Sequence, residues 1–101
     1  MNPQPKIKKW ESNKYLDYIR KQPCIITGQP AEPHHVKIKG NAGTSRKPSD
    51  YYALPVNRDI HHEWEKETNK FMEKKYEFDL YQELFRMVKG FLRESNDKKN
   101  S

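Results

Sequence analysis

The 101-residue sequence predicts one small α+β domain. Three observations predict it: short apolar runs bounded by turn residues in the first half, a 3.6-residue apolar repeat in the second half, and a length that accommodates one core. Only 33% of residues are hydrophobic and 34% are charged, so the core is thin. No run approaches the roughly 18 apolar residues of a membrane span, and residues 1–9 lack the apolar centre of a secretory signal. These readings place the chain away from membranes. A single cysteine, Cys24, excludes an intrachain disulfide and fits a reducing cytoplasm.

Residues 1–9 (MNPQPKIKK) read as a loose basic arm, residues 10–94 as the domain, and 95–101 as a disordered polar tail. Ser12 is placed to cap a first helix running to about residue 21, where Gln22-Pro23 stops it. Cys24-Ile25-Ile26 reads as a short apolar strand, followed by the turn signal Thr27-Gly28-Gln29-Pro30. Residues 34–38 alternate as a strand does. Residues 40–50 (GNAGTSRKPSD) form a long loop, and 51–56 a second strand that Pro55 places at an edge. Asn57 or Asp59 caps a helix over about 58–67, a third helix covers about 69–76, and Asp79 caps a fourth. In the fourth, Leu80, Leu84, Val88 and Leu92 fall on one line.

The four histidines occur as two adjacent pairs, His34-His35 on a strand and His61-His62 near a helix start. Adjacent strand residues point to opposite faces, so His34 and His35 divide two tasks. On the helix, His61 and Glu65 are four residues apart and share a face, so an imidazole and a carboxylate can converge on one ion. Imidazole titrates near neutral pH, which suits deprotonation of a water. A net charge of +6 suits a polyanionic partner, most simply nucleic acid. Lys37, Lys39, Arg46 and Lys47 fall close in sequence to the histidines and are candidates for holding phosphates.

The segments PCIITGQPAEPHHVKIKG and KPSDYYALPVNRDIHHEWE together resemble the HNH endonucleases of the ββα-metal fold, and within them the phage recombination nucleases. The resemblance covers roughly residues 22–80. It implies a small ββα-metal core that hydrolyses DNA phosphodiesters with one divalent cation. It implies His35 as general base, with His34, His61 and Glu65 as metal ligands. The central Asn of the family signature falls near Tyr52 by spacing. Asp50, two residues earlier, is the preferred substitute for orienting His35, while Asn57 reads as a helix cap. Two imidazoles and a carboxylate suit Zn or Mn on ligand type, and Mg or Mn are the expected activators.

One departure concerns structural zinc. Many members hold this unit with two Cys-x-x-Cys pairs, which here read Cys24-x-x-Thr27 and Asn57-x-x-Ile60. Tetrahedral zinc needs four ligands, so no structural zinc is expected; packing by Ile60 and hydrogen bonding by Asn57 would take its place. That departure, with the weak match at the central Asn, leaves an alternative open: a DNA-binding accessory module that has lost catalysis. A helical interaction domain with incidental histidines is a third.

Overall fold

The computed structural model describes residues 12–38 and 49–100, with side chains to residue 96. The expected basic arm and the candidates Lys39, Arg46 and Lys47 lie outside the described residues. The fold is α+β: a two-stranded antiparallel pair with four helices. In chain order these are α1 (Asn13–Arg20), β1 (Glu32–His35), a 3-10 turn (Asp50–Tyr52), β2 (Ala53–Val56), α2 (Arg58–Lys66), α3 (Asn69–Tyr76) and α4 (Leu80–Asn100). Among the described residues no helix is long and apolar enough to cross a membrane.

Local chemistry explains the helix starts. The side chains of Ser12, Asn57 and Thr68 each accept the N–H three residues on, at 3.1, 2.9 and 3.0 Å. Asp79 does the same for Gln82 at 3.0 Å. Tyr15 and Ile19 of α1, Ile60 and Trp64 of α2, Met72 of α3, and Leu80, Leu84 and Met87 of α4 point into one core. Helix α4 continues through the segment read as a disordered tail and reaches Asn100.

The strands depart from expectation in an instructive way. β1 starts at Glu32, two residues before the alternating run, and pairs Pro33 directly with Pro55. Neither proline can donate, so the two must occupy a non-hydrogen-bonded pair, which antiparallel ladders provide at every second position. The carbonyl of Pro55 faces the other edge and accepts from Ile25 N–H at 3.0 Å. β2 is an edge strand of the two-stranded sheet, as Pro55 implied, with this one bond on its outer side, and all four of its residues are buried.

Cys24-Ile25-Ile26 is a turn, not a strand. The buried Cys24 sulfur is the reason: it accepts from Ile26 and Thr27 N–H, each at 3.4 Å, and so bends the chain back. Burial pushes the thiol pKa up, but hydrogen bonds from the Thr27 hydroxyl and from the N–H groups of Thr27, Ile26 and Asn57 outweigh it and leave the pKa below its ordinary value. Asn57 Nδ2 donates to Thr27 Oγ1 at 3.3 Å while Asn57 Oδ1 caps α2. Hydrogen bonds thus link three of the four clip positions, 24, 27 and 57, and Ile60 packs into the same core as Cys24. This corner fixes the entry of α2 against the strands.

Candidate active site

The pleat of β1 separates the first histidine pair. His34 points toward α2 and is 7% exposed. Its ring lies against His61, with centroids 4.7 Å apart and planes at 66°, and against Trp64, at 4.7 Å and 41°. Burial, reinforced by the positive charge of His61, His35 and Lys37, holds its pKa down at about 4. At neutral pH it is an uncharged imidazole with a lone pair to offer.

His35 points the other way, toward the 3-10 turn and the start of α1. Its Nε2 lies 2.7 Å from Asp50 Oδ1. Asp50 is 2% exposed, and its other oxygen accepts from Ser12 N–H at 2.7 Å. A carboxylate only accepts, so Nε2 carries the proton of this hydrogen bond and Nδ1 keeps the lone pair. Among the described residues Nδ1 has no partner. Asp50, the substitute the resemblance suggested in place of Tyr52, is thus the residue that meets the His35 ring.

The second pair is divided by helix geometry. His61 Nδ1 lies 3.6 Å from Glu32 Oε2, and the other oxygen of Glu32 lies 3.5 Å from Arg58 Nε. His62 is exposed and pairs at 3.7 Å with Glu65. Glu65 thus shares the helix face expected for it, but its carboxylate pairs with His62 and not with His61.

An open cleft of about 510 Å³ lies between β1 and the α2–α3 junction. His34, His35, Lys37, His61, Trp64 and Glu65 all line it. The structure thus brings together five of the sequence-selected residues, with Asp50 behind His35. Two participants escaped the sequence reading. Glu32 faces His61, and Asn69, also on the cleft, accepts from Trp64 Nε1 at 2.8 Å and donates to the Lys37 carbonyl at 2.9 Å. Glu32 could have been suspected from its two-residue spacing to His34. Asn69 carried no local signal beyond its place after a helix cap.

Among the described residues no group of three or more His, Cys, Asp or Glu side chains could hold a metal ion. His34 and His61 offer two imidazoles in ring contact, with centroids 4.7 Å apart. Two imidazoles on a tetrahedral ion at ~2.1 Å would keep their ring centroids roughly 5 Å apart, close to the observed spacing. Glu65 lines the same cleft without joining them in such a group.

Comparison with known proteins adds family membership and no activity. The family described as "Protein of unknown function (DUF968)" matches residues 2–91. An uncharacterized protein of Escherichia coli strain K12, YdfU, is 37% identical over 71 residues, which are 69% of this chain and 20% of that protein. The chain thus spans about a fifth of the length of this curated relative. No solved structure matches.

Proposed function

The chain belongs to the DUF968 family, and from that starting point we propose that it is a metal-dependent endonuclease of the HNH type, cutting DNA phosphodiesters with His35 as general base. One observation carries the reading: an imidazole held by a buried carboxylate at 2.7 Å opens onto the same cleft as a close pair of imidazoles from β1 and α2. The order β1, β2, α2 and the placement of His34, His35 and His61 support the ββα-metal assignment.

In this mechanism His35 Nδ1 takes a proton from a water as its oxygen bonds to phosphorus, the P–O3′ bond breaks, and the departing 3′ oxygen takes a proton from solvent. Asp50 keeps the ring in the required tautomer and stabilises the imidazolium that forms. Ser12 N–H and the surrounding core hold Asp50 in place, so the base is positioned before substrate arrives. Lys37 supplies a cation beside the phosphate. His34 and His61 would hold a divalent cation, the remaining positions being open to water and phosphate; Mn or Zn suits imidazole nitrogen, and Mg remains a candidate activator. When bound, that ion would supply charge neutralisation at the scissile phosphate.

Purified protein should nick supercoiled plasmid in Mg or Mn buffer, and EDTA should stop it. His35→Ala should lower the nicking rate by about 10²–10⁴-fold and leave DNA affinity within a few-fold. A His35→Ala variant that nicks at the wild-type rate would remove His35 from the mechanism. The missing third ligand among the described residues favours one other reading, a DNA-binding accessory module. It is selected if wild-type protein binds DNA salt-dependently and nicks in no metal.

A further inference from the structure

The Asn69 amide joins three parts of the cleft wall. Its Oδ1 accepts from the Trp64 indole of α2, at 2.8 Å, and its Nδ2 donates to the backbone carbonyl of Lys37, just past β1, at 2.9 Å. An indole N–H can only donate and a carbonyl can only accept, so rotating the amide would break both bonds. The amide therefore has one orientation. It fixes α2, the first turn of α3 and the backbone beyond His35 relative to one another.

What Asn69 fixes matters because of what Trp64 touches. The indole ring packs against the His34 imidazole, at 4.7 Å between centroids, and against Phe78, at 5.6 Å. Trp64 is 3% exposed and leaves its neighbour His34 little room. Phe78 sets the depth of the indole but offers no acceptor. Asn69 sets its rotation, and through it the tilt of the His34 ring against His61.

We infer that Asn69 is a positioning residue of the cleft: through Trp64 it orients His34, and through the Lys37 carbonyl it sets the separation of the cleft walls. This rests on the nuclease reading for its kinetic consequence and not for its structural one. The two halves of the amide separate by substitution. Asn69→Ala removes both bonds. Asn69→Asp keeps an acceptor for Trp64 and replaces the donor facing Lys37 with a second acceptor.

The test uses the full chain and two readouts, NMR of the His34 and Trp64 ring protons and nicking kinetics in Mn buffer. In Asn69→Ala the Trp64 indole proton should exchange about tenfold faster. The His34 ring protons should lose the shift imposed by the indole, kcat should fall about tenfold, and KM should rise as well because the Lys37 bond is lost too. Asn69→Asp should keep the His34 shifts and kcat near wild type and raise KM. The assignment is overturned if His34 ring shifts and kcat in Asn69→Ala match wild type while only thermal stability falls. Should Asn69→Ala fail to fold, Asn69→Asp decides: an unchanged KM overturns the Lys37 half and lost His34 shifts overturn the Trp64 half. If wild-type protein nicks nothing, the nuclease reading fails, and the His34 shifts alone still decide the role of Asn69.

Discussion

The two faces of β1 treat neighbouring histidines in opposite ways. His34 is buried among aromatic rings, stays neutral, and has no carboxylate against it among the described residues. His35 is a quarter exposed by side chain and has an acid at hydrogen-bond distance. One residue type gives two reagents because the strand period is two and the two faces have different neighbours. One environment favours lone-pair donation by an uncharged ring. The other leaves a ring partly open to solvent and held from behind by a buried carboxyl group at 2.7 Å.

The contrast is most sharply tested by acid. His34 has a pKa of about 4 in the folded chain against about 6.5 when unfolded. Between those values the unfolded chain binds a proton that the folded chain refuses. Its contribution to stability is therefore fully present above pH 6.5, is lost as pH falls toward 4, and does not change further below that. The loss amounts to at most about 3 kcal/mol. His34→Phe, which keeps an aromatic ring against Trp64, should remove this slope. Urea unfolding at pH 7 and pH 4.5 measures it; identical pH dependence in variant and wild type would refute the buried, neutral assignment.

The remote corner at Cys24, Thr27 and Asn57 provides a control for both faces. It holds α2 in place without touching the cleft. Asn57→Ala removes the α2 cap and the hydrogen bond to Thr27, and should cost about 1–2 kcal/mol. Its cleavage rate under folded conditions should stay near wild type. A large rate loss in stably folded protein would show that the corner and the cleft are coupled.

Much of this arrangement was legible in local signals. Three helix starts were readable because Ser12, Asn57 and Asp79 satisfy their own nearby N–H groups, a short-range chemistry that sequence displays directly. The division between His34 and His35 followed from strand period alone, and Asp50 was suggested by the resemblance where spacing pointed to Tyr52. What could not be read depended on distant partners. Cys24-Ile25-Ile26 has strand composition, but a buried sulfur recruits two N–H groups and turns the chain. The early start of β1 depends on Pro33 meeting Pro55, residues 22 positions apart. Asn69 looks like an ordinary first-turn residue until the fold brings Lys37 to it, 32 positions away. The partner of Glu65 depended on side-chain choice between His61 and His62, which helical spacing leaves open because i,i+3 and i,i+4 neighbours are both in reach.

The smallest expected effect separates the second histidine pair as β1 separates the first. His61 faces the cleft, while His62 is exposed and its contact with Glu65 spans 3.7 Å. Exposed pairs of this kind contribute little because water screens them and both side chains lose freedom in forming them. His62→Ala should change stability by less than about 0.5 kcal/mol and leave nicking unchanged. His61→Ala, by contrast, should weaken Mn or Zn binding, as calorimetry would record. If His62→Ala weakened metal binding as much as His61→Ala, the cation would have to sit on the outer side of α2, with Glu65 and His62 as its ligands. The pairing of His34 with His61 would then be aromatic packing alone, at a spacing that ordinary ring contacts also adopt.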